Sequence, residues 1–201
     1  IGKLSSSSNQ LEPEPSKPAT VPTRPFGKTG INVSILSLGG SQDLMSKQIL
    51  LRQALRMGVT YWDTAYNYEG GNSEKAIGKY FMRYPDDRKT VFLVTKAPSS
   101  VPDEMTRYLQ TSLERLKTEY IDLFFIHSVS DVNDEIDPST KAWVKKAKAE
   151  GKIRFFGFST HKNMDQCLKD GAKLGWIDGI MTSYNYRLMH TDRMQKAVNA
   201  C

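Results

Sequence analysis

The sequence predicts an α/β fold, a (β/α)8 TIM barrel of which about six β/α units lie in this chain. Three observations predict it. Short apolar runs rich in β-branched residues alternate with amphipathic helical stretches. The alternation recurs roughly every 30 residues, the size of one βαβ unit. Polar and ionisable residues gather just after successive runs, while the runs themselves read as buried strands.

The units follow in order. Ile35–Leu38 is the first predicted strand, closed by Gly39-Gly40. Leu50, Leu51, Ala54 and Leu55 then recur at helical spacing, and Gly58 is placed to end that helix. Val59–Trp62 is the second strand, with a helix from about Ser73-Glu74 to Tyr80. Val91–Thr95 is the third, β-branched as a buried strand should be. Pro102 opens the next helix beside Asp103 and Glu104, and Met105, Leu109, Leu113 and Leu116 form its apolar face. Ile121–Ile126 is the fourth strand. A helix centred on Trp143, Val144 and Ala147 stops at Gly151. Ile153–Phe158 precedes a helix over Met164, Cys167 and Leu168, and Gly179–Thr182 precedes one over Met194, Ala197 and Val198.

An open doubly wound sheet and a closed barrel both fit this order. The Gly39-Gly40 turn lacks the GxGxxG phosphate fingerprint that the open sheet would place there, which favours the barrel. A barrel needs eight strands and about 250 residues, so two further units are expected beyond Cys201. The first residue is Ile1, and a processed or trimmed N-terminus is expected. Residues 1–25 hold Ser5 to Ser8 and Pro13, Pro15, Pro18, Pro22 and Pro25, and read as a tail or linker ahead of a barrel domain at 26–201.

Composition narrows the function. Hydrophobic residues make up 39% and charged residues 25%, an ordinary globular balance. No apolar run approaches the roughly 18 residues of a membrane span. The net charge of +6 suits an anionic ligand, but the lysines are scattered over helix faces, as at Lys145, Lys146 and Lys148, so nucleic acid is not expected as a partner. Cys167 and Cys201 form no CxxC or Cys/His pair, and neither a disulfide framework nor a metal site is expected. A cytoplasmic location is favoured, with an exported form left open by the N-terminus.

Active sites of barrels lie at the C-terminal ends of the strands. The residues there are Asp63-Thr64-Ala65-Tyr66-Asn67-Tyr68, Lys96, His127, Ser159-Thr160-His161 and Ser183-Tyr184-Asn185. Each alone has a plain structural reading: Asp63 as a turn residue, Lys96 as a surface charge, His127 as a satisfied histidine, Ser159 as a helix cap. Together they make a coherent set. Reducing a carbonyl requires a proton for the developing alkoxide. A tyrosine hydroxyl can supply it, although its free pKa of about 10 is high for neutral work. A neighbouring ammonium favours the phenolate left behind, and a carboxylate beside the ammonium offsets its buried charge. A histidine at the same rim can hydrogen-bond the substrate oxygen. No side chain donates hydride, so a cofactor must.

The stretch Trp62-Asp63-Thr64-Ala65-Tyr66-Asn67-Tyr68, with Asn72-Ser73-Glu74 and Ile77-Gly78 after it, resembles the signature of aldo-keto reductases. So do Thr95-Lys96, the run Tyr120 to His127, Gly157-Phe158-Ser159 and Tyr184-Asn185. Arg24-Pro25-Phe26-Gly27-Lys28-Thr29-Gly30 is similar to the family's leading β-hairpin. The resemblance covers roughly residues 24 to 200. It implies Asp63, Tyr68, Lys96 and His127 as a catalytic tetrad, Tyr68 being the acid rather than Tyr66. It implies NADPH or NADH as cofactor, a small carbonyl compound as substrate, and Ser159, Thr160 and Tyr184 as contacts to the nicotinamide. Two positions depart from the pattern: Thr160 stands where the family usually has Asn, and Met181 where it usually has Gln. They motivate a second reading, a barrel that binds a cofactor or a protein partner with little or no turnover.

Overall fold

The computed structural model describes residues 20–201. Strands β1 (Thr23–Pro25) and β2 (Asn32–Ser34) form an antiparallel hairpin. It lies partly inside the stretch read as tail from its prolines. Pro25 lacks only a donor that an edge strand can spare, and Phe26 N–H bonds Ile31 O to close the turn. The rest of the tail, residues 1–19, lies outside the described residues.

Six parallel strands follow in sequential order: β3 (Ser37–Gly39), β4 (Tyr61–Asp63), β5 (Phe92–Ala97), β6 (Ile121–Ile126), β7 (Ile153–Thr160) and β8 (Gly179–Thr182). The helices between them are α1 (Gln48–Arg56), α2 (Asn72–Arg83), α3 (Pro102–Leu116), α4 (Val132–Glu135) with α5 (Pro138–Ala149), α6 (Met164–Leu174) and α7 (Asp192–Ala200). Neighbouring strands adjacent in sequence, each linked by a helix, are the wall of a (β/α)8 barrel rather than a doubly wound sheet, whose order would reverse at a switch point.

The first strand differs from its prediction. Ile35 and Leu36 are 51% and 57% exposed, and β3 starts only at Ser37. An apolar run reads as a strand, but pairing decides, and β4 offers partners only to Ser37, Leu38 and Gly39. Glycine spacing matters where helices meet. At Gly78 a Cβ would run into the Arg115 carbonyl oxygen, so only glycine lets α2 lie this close to the end of α3.

Two apolar layers flank the sheet. Leu93, Phe124, Phe156 and Phe158 pack toward the helices with Trp62, Met105 and Trp143. Val33, Phe92, Val94, Leu123 and Phe125 form the inner layer, with Phe26 and Ile31 of the hairpin packed on it. The hairpin thereby covers one end of the inner layer and leaves the strands' C-terminal ends for polar residues. Among the described residues no helix is long and apolar enough to cross a membrane.

Candidate active site

Period-two alternation along the strands decides which rim residues meet. On β5, Phe92 and Val94 enter the inner layer, and Lys96 comes two residues later on the same face. On β4 the sequence Tyr61 then Asp63 repeats this. On β6, Leu123 and Phe125 precede His127, and on β7 Phe155 precedes Ser159 by four. Each strand carries apolar residues below and one polar residue at the mouth.

Lys96 is the centre of the cluster and only 1% exposed. Its Nζ donates to Asp63 Oδ1 at 2.7 Å, to Thr64 O at 2.8 Å and to the Tyr68 hydroxyl oxygen at 3.2 Å. The same ammonium lies 4.6 Å from the centre of the Tyr68 ring. A buried cation needs this set of acceptors, because an unpaired one costs far more than the pair gains. Burial pushes the Asp63 carboxyl above its usual range, and the Lys96 ammonium opposes that. Among the described residues Asp63 Oδ2 is buried without a partner, and Oδ1 carries the contact to Lys96. Tyr61, below Asp63, is held protonated by burial and by the Asp63 charge.

Tyr68 begins a short 3-10 turn, Tyr68–Gly71, that follows β4. Its ring meets the His127 imidazole edge to face, 5.7 Å between centres. Burial lowers the His127 pKa from 6.5 to about 4, with help from the Lys96 and His161 charges. His127 is therefore neutral at pH 7, a donor or acceptor for a substrate oxygen rather than a second cation. Its imidazole resonances, followed by NMR against pH, are expected to titrate near 4. Lys96→Met should move that midpoint upward, and a wild-type midpoint at the ordinary 6.5 would refute the arrangement. Because the folded value lies below the unfolded one, the unfolded chain binds the extra proton in between. His127 thus contributes stability that is complete above pH 6.5 and is lost as pH falls toward 4.

Tyr66, the other tyrosine of the loop, faces away. Its ring lies 4.4 Å from the Arg115 guanidinium carbon and 4.6 Å from the Tyr108 ring centre.

The three residues expected to hold a nicotinamide are not alike. Ser159 is buried on the inner face, and its hydroxyl oxygen accepts from Ser128 N–H at 2.9 Å, leaving its own proton free among the described bonds. Thr160, next along β7, is on the opposite face. It is fully buried, and its hydroxyl donates to Lys162 O at 2.8 Å. Tyr184 lies at the rim, 44% exposed, with its hydroxyl donating to Met189 O. Met181 pairs with Ser159 across β7 and β8 and packs on the inner apolar layer. One free hydroxyl and one open aromatic face fit the amide and ring of a nicotinamide, with a thinner polar grip than a side-chain amide would add. No group of three or more His, Cys, Asp or Glu among the described residues is placed to hold a metal ion.

Thr64, Glu74 and Arg115 also bear on the site, and the sequence assigns them no role. Glu74 had a visible signal: it is an acid among the buried residues of α2, on the same side as Ser73, Ile77 and Gly78. Arg115 had none, since it closes a helix whose exposed face carries other charges.

A family model described as the aldo/keto reductase family matches residues 35–201. The Schizosaccharomyces pombe aldo-keto reductase yakc, whose name specifies NADP(+), is 32% identical over 152 residues, which cover 70% of this chain and 43% of that protein. The L-galactose dehydrogenase of Arabidopsis thaliana is 28% identical over 182 residues, covering 81% and 56%. A solved structure of a putative aldo-keto reductase from Pseudomonas aeruginosa superposes with a TM-score of 0.76 at 25% identity, covering 90% of this chain and 74% of that one. The chain spans about half the length of the curated relatives it matches. With six parallel β/α units, an Asp–Lys–Tyr cluster around a buried lysine at their C-terminal rim and a family match over most of its residues, this chain belongs to the aldo/keto reductase family.

Proposed function

We propose that the protein reduces a small aldehyde or ketone to an alcohol, with NADPH or NADH as hydride source and Tyr68 as general acid. The observation that carries this is the Lys96 ammonium 2.7 Å from Asp63 and 3.2 Å from the Tyr68 hydroxyl, at the open end of the sheet. Bound, the dinucleotide supplies hydride to the carbonyl carbon. Ser159 and Tyr184 would hold its nicotinamide end, while Thr160, buried on the opposite face of β7 with its proton given to Lys162 O, would support the turn after the strand. His127, neutral, orients the carbonyl oxygen beside the Tyr68 hydroxyl. As negative charge develops on that oxygen, Tyr68 delivers its proton, and the Lys96 ammonium stabilises the phenolate that remains. Asp63 holds the ammonium in place. The apolar layer beneath keeps water from the base of the site.

The test uses full-length protein, a generic aldehyde and NADPH carrying deuterium at the transferable C4 position. Deuterium on the carbinol carbon, read by mass spectrometry, is the expected result. Absence of turnover across a broad carbonyl panel overturns the proposal. Met181 favours a second reading, a barrel that binds nucleotide without turnover. Quenching of tryptophan fluorescence by NADPH with no product in that same panel is the outcome it requires.

A further inference from the structure

We propose that Arg115 and Glu74 are positioning residues that hold the Tyr68 loop at its distance from Lys96; the role rests on the reductase reading above. The loop needs holding. Glu69, Gly70 and Gly71 have φ of 50°, 61° and 89°, three left-handed residues in succession directly after Tyr68. Glu69 has a side chain and therefore carries the steric penalty of that region. Such backbone persists only where its surroundings over-determine it. Its own hydrogen bonds, Tyr68 N–H to Ala65 O at 3.1 Å and Gly70 N–H to Asn67 O at 3.2 Å, lie at the long end of the normal range, and upstream of them Tyr66 N–H bonds Lys96 O at 3.0 Å.

Arg115 supplies a further restraint from a different element. From the last turn of α3 its Nη1 donates to Tyr66 O at 2.9 Å and to Glu74 Oε2 at 3.2 Å. The guanidinium lies against the Tyr66 ring and under Gly71, where a Cβ would come within 2.7 Å of its Cζ. Gly71 is thus glycine for two reasons, its φ and the space the guanidinium fills.

Glu74 makes the connection to the other catalytic partner. It is fully buried, and its Oε1 accepts from the Thr95 hydroxyl at 2.7 Å. Thr95 precedes Lys96 on β5. One carboxylate is therefore bonded both to the strand that presents Lys96 and, through Arg115, to the loop that presents Tyr68. Proton delivery depends steeply on the spacing of these two groups, so an error of about 1 Å is worth roughly a hundredfold in rate.

The test is the double variant Glu74→Gln/Arg115→Met in full-length protein, which leaves neither charge buried alone. Turnover on a generic aldehyde is expected to fall roughly tenfold to a hundredfold in kcat, with KM nearly unchanged. Amide hydrogen exchange over 66–71 should quicken by about tenfold or more while β5 and β6 keep their protection. Unchanged exchange in the loop overturns the proposal. So does faster exchange with kcat intact. Should the double variant not fold, Arg115→Lys, which keeps a cation near Glu74 but cannot fork to Tyr66 O, is expected to move both readouts the same way. A wild-type protein without turnover would remove the reductase reading, while quickened exchange in the variant would still assign Arg115 and Glu74 to the loop.

Discussion

Tyr68→Phe is expected to cut turnover on a generic aldehyde about a hundredfold or more in the full-length protein, the usual scale for losing a positioned general acid. The substitution removes one oxygen and little else. The ring stays against the His127 imidazole and over the Lys96 ammonium, as the wild-type ring does at 5.7 and 4.6 Å. Lys96 retains Asp63 Oδ1 and Thr64 O as acceptors, so its charge remains compensated. Thermal stability should therefore stay near that of the wild type, and the loss should fall on kcat. A variant that turns over as fast as the parent would take Tyr68 out of the mechanism. Tyr66 would not inherit the role, because Arg115 and Tyr108 hold its ring elsewhere.

Asp122→Ala should cost stability instead, about 3–5 kcal/mol, the scale for stripping one partner from a buried ion pair. Asp122 is 1% exposed within β6. Its Oδ2 accepts from Leu93 N–H and faces Arg88 Nη2, both at 3.0 Å, and its Oδ1 accepts from Arg154 Nη1 at 2.6 Å. Arg88 is the vulnerable member. It is almost as buried, and without Asp122 its partners among the described residues are the Val91 and Tyr120 carbonyls, the Thr118 hydroxyl and the faces of the Phe81 and Tyr120 rings. None of these carries the negative charge that a buried guanidinium needs. Urea unfolding followed by circular dichroism reads the change as a shift in midpoint at constant slope. A loss below about 1 kcal/mol would show that water reaches Arg88 and that the pair is not buried in effect.

Much of this was legible in the residues. Ile121–Ile126 and Gly179–Thr182 match their strands end to end, and Pro102 opens its helix where expected. These signals are local: β-branched runs, apolar spacing and a proline that only a first turn tolerates. The site was legible for a related reason. Asp63, Lys96, His127 and Ser159 each end an alternating strand, so parity alone brings them to one face. Parity also separates Thr160 from Ser159, since successive strand residues point to opposite faces and their hydroxyls take different partners. Ile35 and Leu36 were misread because apolarity reports a preference for burial, while strand identity depends on a partner.

The sequence by itself determined the order of β/α units and the kinds of residue at the mouth, since both are written in short-range periodicity. Tertiary structure alone decided that His127 is neutral, that Asp122 is shared between two arginines, and that Arg115 reaches under the Tyr68 loop. The reason is range. Periodicity acts over a few residues, but the desolvation of a charge and the partner that offsets it depend on groups 28 to 49 positions away, brought near only when the helices close over the sheet.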